Sequence, residues 1–585
     1  MHNRQTEELD RARLARRASP YVQGAAAFLS YALVSFLLWG LPIVGRFSRT
    51  FVGIGLGDSK LYAWSLVWWP HALIHGMNPF LARVLWAPAG VNVAWVTTLP
   101  GPSLAMTPVT LVFGPIVSSN ILALLSAPLA GWGAYLLCRR ITHSFWPALA
   151  GGYLFAFSTY MVGQMRGHLN LTLVFPIPLA AYLVVRRVEG SLSRTKFIAL
   201  LALVLVAEFS VSTEVFLTLG IFGGVALLGA LLFGGPELRR VMVPTIGLVG
   251  IAYLVSMAVV SPYLYYALTG VPPGSFHDLQ HASADLLSFV VPRYTTLVGG
   301  GTFHQFTEGF QPTAIEDGAY LGLPVLIMLV HFAISQRGRR ATWALLAFVG
   351  LAVLFSLGPS LHVHGHPFLT LPWQLVATTP VVRNALPQRF TMYVWLATAV
   401  IAALWLRDGG RWGWLRWGVV GAAAILLLPD LSTSKPLHIT LDQPAFFAEG
   451  TYRSYLSPGE TVLYLPVRAG ADEMLVQAET DMYFRLAIGY VGSVPPTYRG
   501  EPGLTAVRTN RPDSLHEDTF RSVLALHQIG AVVVEDPYVN QWRPLLDAVG
   551  ATPTEIGGIT LFRLPVQQLV DRGGSRGPGE RRSSA

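Results

Sequence analysis

The feature that most restricts this chain is a succession of apolar runs, each long enough to cross about 30 Å of hydrocarbon. Residues 22–44 contain AFLSYALVSFLLWGLPIV, and 241–268, 341–358 and 388–406 read the same way. Inside lipid a backbone must satisfy its own hydrogen bonds, so such runs are helices. Composition agrees: the 585 residues are 52% hydrophobic and only 12% charged, against about 25% charged in soluble domains.

The net charge is +9, from 41 Lys and Arg against 32 Asp and Glu. The positives gather in short segments between apolar runs, which is a pattern of membrane orientation and not of nucleic-acid binding. Four arginines (Arg11, Arg13, Arg16, Arg17) precede the first run, which reads as a retained signal anchor with residues 1–21 cytoplasmic. Basic patches recur at Arg139-Arg140, Arg186-Arg187, Arg239-Arg240, Arg337 to Arg340 and Arg407 to Arg416. Placing all of them inside predicts about eleven crossings within 22–429 and an external C-terminal end. The predicted crossings after the first are 118–138, 146–162, 169–187, 196–213, 214–234, 241–268, 319–335, 341–358, 388–406 and 413–429. Residues 98–117 are apolar but carry Pro100, Pro102, Pro108 and Pro115, which disfavours a regular helix. They are expected to re-enter the membrane or lie on its surface. The single cysteine, Cys138, leaves no intramolecular disulfide framework.

After residue 430 the composition becomes polar. Short β-like stretches at 461–467, 483–491, 531–535 and 559–565 alternate with helical stretches at 516–529 and 540–549. That pattern predicts a small α/β domain over 430–570, followed by a disordered tail at 571–585. The predicted fold class is therefore an all-α polytopic membrane domain plus a small α/β extracytoplasmic domain, in a bacterial plasma membrane.

With this topology the unusual polar residues share the outer side, in loops 45–117, 269–318 and 359–387. Asp58 is the only acid between Asp10 and Glu189. It precedes an aromatic stretch, LYAWSLVWWPHALIHG, that suits an interfacial helix. An acid there could take a proton or orient a hydroxyl; the plainer reading is a helix cap. Lys60 lies beside it. Glu214, between two apolar runs, and Asp285, in SADLLSFVVP, are the other candidate acids; Asp285 also suits a cap. Glu316-Asp317 favour the N-terminus of the helix expected at 319. His362, His364 and His366 alternate as metal ligands in a strand would, or form a solvated loop. Arg383 and Arg389, in VVRNALPQRF, suit phosphate binding or interfacial anchoring. Arg166 and His168, in GQMRGHLN, carry the same two readings.

GDSKLYAWSLVWWPHAL, HLNLTLVFPIPLAAYL, SADLLSFVVP, FSLGP and VVRNALPQRF, spread over most of residues 20–570, resemble bacterial members of the GT-C superfamily of membrane glycosyltransferases. The resemblance implies transfer of a sugar from a polyprenyl-phosphate carrier to a glycan, lipid or protein acceptor outside the membrane, with inversion. It implies Asp58 as general base or orienting acid, with Arg389 and Arg383 on the donor phosphate. Many members pair two acids in the first loop; here Asp58 stands alone. No cofactor follows firmly, and a divalent cation stays open. The partners implied are membrane lipid, the lipid-linked sugar and the acceptor, with no nucleic acid. The alternative classes are a transporter or flippase of lipid-linked saccharide and a non-catalytic envelope-assembly protein.

Overall fold

The computed structural model describes residues 19–54, 57–271, 279–299, 302–310, 317–379, 382–430, 438–441, 443–467, 470–492 and 494–565. Residues 1–18, His277, Asp278, Glu316, Lys435 and the expected tail at 571–585 lie outside the described residues. The chain divides into two compact units. The first comprises residues 1–54, 119–265 and 273–439; the second comprises 55–118, 266–272 and 440–585.

The first unit is helical. Among the described residues, six helical segments are long and apolar enough to cross a membrane: Pro20–Arg46, Pro115–Thr142, Leu169–Val188, Thr213–Phe233, Pro236–Val259 and Pro387–Arg407. Leu323–Ser335 and Arg340–Ser356 are apolar but shorter. The other crossings expected from sequence fall on Phe145–Ala156, Arg194–Val211 and Gly413–Leu426. Helix starts follow local rules. Ser19, Ser158, Ser193 and Ser212 each cap a helix by accepting a backbone N–H three residues on, which satisfies a donor the helix leaves unpaired. Three expected crossings are interrupted, one of them at 169–187, between Leu169–Thr172 and Pro176–Val188. The one at 146–162 breaks between Phe145–Ala156 and Thr159–Gln164, where Ser158 starts a new helix. The one at 241–268 breaks after Val259, ahead of Ser261–Thr269. Helix Thr391–Arg407 is the central element, buried over most of its length from Thr391 to Leu406.

Residues 98–117 depart from the proline argument. Pro100–Phe113 is a continuous helix, because Pro100 and Pro102 occupy its first turn, where no intrahelical N–H is needed. Only Pro108 is interior. Gly114, at φ 85°, ends it, a conformation that glycine tolerates and most side chains do not. Pro115 then opens Pro115–Thr142. At 1.5 Å per residue Pro100–Phe113 is about 21 Å long, short of a full crossing.

The second unit holds a five-stranded mixed sheet. Its strands are β1 (Thr461–Leu465), β2 (Arg485–Leu486), β3 (Ala531–Glu535), β4 (Thr552–Ile556) and β5 (Ile559–Arg563), in the order β4-β5-β3-β1-β2. β1 runs parallel to β2 and β3, while β5 is antiparallel to β3 and β4. β1 is buried throughout and β3 nearly so, as expected of central strands covered on both faces. Helices Asp472–Glu479, Glu517–Leu526 and Val539–Ala548 accompany it. The unit also includes helix Gly57–Ile74. The aromatic residues of that helix do not face a membrane interface. Tyr62, Trp64, Trp68 and Trp69 are 0–4% exposed, and the three tryptophans belong to a core shared with Val462, Leu465 and Met474 of the sheet region. Trp64 stacks on Trp68 at 5.6 Å and donates to the Gln477 side-chain oxygen at 2.8 Å. A buried indole needs such a partner, and Gln477 supplies it while donating to the Val84 and Phe484 carbonyls.

Candidate functional site

In the second unit, Asp58 lies in the first turn of Gly57–Ile74 and is half-buried. An acid there is favoured by the helix dipole. The Tyr490 hydroxyl donates to its Oδ1 at 3.0 Å. Burial first, and then the Asp58 carboxylate, hold the Tyr490 phenol above its usual range, so it stays a donor. A carboxylate oriented by one phenol at the edge of a buried aromatic helix can accept a proton or align a hydroxyl.

Two residues on, Lys60 is 5% exposed and forms an ion pair with Asp472. Its charge is engaged inside the protein, two residues from Asp58. Next to Asp472, Glu473 is 1% exposed and neither carboxylate oxygen has a hydrogen-bond partner among the described residues. Burial pushes its carboxyl up to about 8, helped by Asp472 and opposed by Lys60.

In the first unit, Arg166 sits in the turn after Thr159–Gln164. It is 8% exposed, its guanidinium lies 5.6 Å from the Tyr294 ring, and among the described residues its Nε has no hydrogen-bond partner. Burial lowers its pKa, while Tyr294, Asp317 and Asp430 pull it back up. Asp317 is 2% exposed and accepts from the Thr295 hydroxyl at 3.1 Å. Burial raises its pKa against the opposing pull of Arg293, Thr295 and Arg166. Its expected place at a helix N-terminus is corrected, because that helix starts at Leu323. Gly163 permits the approach: a Cβ there would lie 2.2 Å from the Asp317 carbonyl oxygen. His168 contacts the Gln164 side-chain oxygen at 2.7 Å. The result is a buried patch with two guanidiniums, Arg166 and Arg293, around Asp317, able to receive an anion.

Glu214 and Arg389 meet each other. They form an ion pair with side chains 18% and 14% exposed. Glu214 also accepts the Leu386 backbone N–H at 2.9 Å. Each is thus the other's counter-ion, which neither single-residue reading anticipated. Arg383 lies half-buried in the turn Val382–Asn384. Asp285 is fully buried with both oxygens engaged: one accepts Leu287 N–H at 3.0 Å and the other Gly365 N–H at 2.7 Å. It clamps two loops. The three histidines do not share a strand face, because His364 turns the chain between Ser360–Val363 and His366–Thr370. His364 bonds the Phe306 carbonyl and His362 is 4% exposed. Among the described residues no group of three His, Cys, Asp or Glu could hold a metal ion.

The sequence alone assigned no role to Tyr490, Asp472, Glu473, Arg293 and Tyr294. Arg293 and Tyr294 follow SADLLSFVVP directly, and two polar residues ending an apolar segment were the available signal. Tyr490 carried none, being 432 positions from Asp58.

The arabinofuranosyltransferase AftD from Mycobacteria superposes at TM-score 0.60 with 12% identity, over 92% of this chain and 40% of AftD. The chain therefore spans about two fifths of that protein's length. The oligosaccharyltransferase AglB from Archaeoglobus fulgidus, in complex with an inhibitory peptide and a dolichol-phosphate, gives 0.51 and 12% over 93% of this chain and 74% of AglB. ArnT from Cupriavidus metallidurans, bound to undecaprenyl phosphate, gives 0.50 and 12% over 93% and 98%. At 12% identity these likenesses show a GT-C-type fold, and the apolar helices make the chain a multi-pass membrane protein. No curated protein matches the chain. Residues 27–432 match the model of a family described as a domain of unknown function (DUF6311), and the chain belongs to that family.

Proposed function

We propose that the protein is a glycosyltransferase that moves a sugar from a polyprenyl-phosphate donor to a cell-envelope acceptor on the outer face of the membrane. The observation that carries this reading is the half-buried Asp58 carboxylate, held by Tyr490 in the first turn of an aromatic helix. The fold shared with AftD, AglB and ArnT supports it. In the reaction an acceptor oxygen bonds to the anomeric carbon as the bond from that carbon to the phosphate oxygen breaks. The hydroxyl proton passes to Asp58, and the lipid phosphate departs with its electron pair. Attack opposite the leaving phosphate inverts the anomeric centre.

The donor phosphate is assigned to Arg166 with Arg293. Arg389 is ion-paired with Glu214, whereas among the described residues the Arg166 Nε has no hydrogen-bond partner. Arg389 and Glu214 then hold the VVRNALPQRF segment in place. The test is incubation of purified protein with radiolabelled polyprenyl-phosphate hexoses and pentoses and with candidate glycan, lipid and peptide acceptors. Label passing to an acceptor supports the reading. No transfer with any pair, together with uptake of lipid-linked sugar in proteoliposomes, favours a flippase.

A further inference from the structure

The first unit contains a cleft of about 1100 Å³ lined almost wholly by apolar side chains. That exceeds the ~300–1,000 Å³ of sites enclosing drug-sized ligands. Its origin lies in helix Thr213–Phe233, where a Cβ added at Gly223, Gly224 or Gly229 would meet nothing within 4 Å. The missing side chains leave a channel along helix Thr391–Arg407, whose Tyr393, Leu396, Val400 and Leu404 line it at helical spacing.

The two ends of this channel differ. At one end Phe222 stacks on Tyr393 at 4.2 Å and packs against Phe390 at 5.3 Å and Phe355 at 6.1 Å. The Tyr393 hydroxyl is fixed to Thr218 at 2.8 Å. These rings cluster at the Arg389 end of the helix. The Asp317 segment is on that side too: a Cβ at Gly318 would lie 3.5 Å from the Thr391 hydroxyl.

The other end carries Arg339, Arg340 and Arg407 with Asp408 and Glu189. Asp408 is paired with Arg407 and Arg339, and Glu189 with Arg140. Among the described residues Arg340 has no ion-pair partner, so this mouth keeps positive charge. Arg407 lies about 27 Å along the helix from Arg389 at 1.5 Å per residue, close to the ~30 Å depth of a hydrocarbon layer.

We propose that the cleft binds an anionic phospholipid of the bilayer, its chains along the Thr391–Arg407 face and its phosphate at Arg339 and Arg340. The occupant is a membrane lipid and not the sugar donor, because the basic mouth is at the opposite end of the helix from the Arg166–Asp317 patch. The site is independent of the transfer reaction.

Native mass spectrometry of the delipidated full-length protein tests it, with dioleoyl phosphatidylglycerol, dioleoyl phosphatidylcholine and undecaprenyl phosphate as probes. Phosphatidylglycerol should be retained at least about tenfold better than phosphatidylcholine. Arg339→Gln and Arg340→Gln should each reduce that preference roughly fivefold, the effect of one basic residue near an anionic lipid surface. Gly223→Leu, which fills the channel, should reduce retention of both phospholipids, with an unchanged melting temperature showing that it folds. Equal retention of the two phospholipids would overturn the proposal. So would loss of bound lipid only when undecaprenyl phosphate competes, with both arginine variants behaving as wild type. Unchanged retention in a folded Gly223→Leu protein would overturn it as well.

Discussion

The Tyr490 hydroxyl donates to the Asp58 carboxylate at 3.0 Å, joining residues 432 positions apart in the chain. The acid that opens the first loop is thus oriented by a residue from the region of the five-stranded sheet. Tyr490→Phe keeps the ring and removes the donor. Transfer should fall about tenfold, in the range of a hydrogen bond to a charged group, and expression should be unchanged. The drop should appear in turnover and not in donor half-saturation; a pure donor-affinity effect would place Tyr490 elsewhere in the reaction.

Glu214 and Arg389 should behave as a pair. Removing one partner of a buried pair costs about 3–5 kcal/mol, and with side chains 18% and 14% exposed the lower end applies. Glu214→Gln and Arg389→Gln should each lower the melting temperature in detergent. The double variant should lose clearly less than the sum of the two. Additive losses would break the pairing. If Arg389→Gln instead raised the donor concentration for half-maximal rate with no thermal effect, Arg389 would belong on the donor.

Arg166 carries the donor assignment. Losing a charge-assisted bond to phosphate is worth about 1.5–3 kcal/mol, so Arg166→Gln should raise donor half-saturation roughly 10- to 150-fold. Arg166→Lys should recover part of it, because a point charge replaces a planar fork. Kinetics with varied donor at saturating acceptor decide this, and wild-type donor dependence in both variants removes Arg166 from the phosphate.

Glu473 predicts a pH effect on stability. Its carboxyl is raised from 4.5 to about 8 in the folded protein, so the folded state holds a proton that the unfolded chain has released. That contribution is complete below pH 4.5 and is lost as pH rises through about 8. Glu473→Gln should match wild type near pH 5 and melt progressively higher than wild type toward pH 8.5. Thermal scans from pH 5 to 9 read the difference; parallel curves would mean that Glu473 does not titrate there.

Helix positions were legible in the sequence because hydropathy fixes them: each expected crossing meets a helix in the structure. Ends and interruptions were not, since a break such as Phe157-Ser158 depends on one capping serine within an apolar run. The proline count at 98–117 misled because the position of a proline in a helix matters more than its number. Strands β1, β3 and β5 were visible as β-branched runs, whereas β4 is almost wholly exposed and reads as a loop. The Trp-rich helix looked interfacial because aromatic residues suit both a membrane surface and a core. Only tertiary packing against Met474 and Val462 separates the two. Among the site residues, Asp58 announced itself by isolation. The pairing of Glu214 with Arg389 and of Lys60 with Asp472 could not be read, since it joins residues far apart in sequence.

The most direct measurement compares wild type with Asp58→Asn in sugar transfer from a labelled polyprenyl-phosphate donor. Asn keeps the size and the capping ability of Asp but cannot take a proton. General base catalysis contributes about 10²–10⁴-fold, so the variant should transfer at least about a hundredfold more slowly, at wild-type expression and melting temperature. Transfer by Asp58→Asn at the wild-type rate would contradict the account.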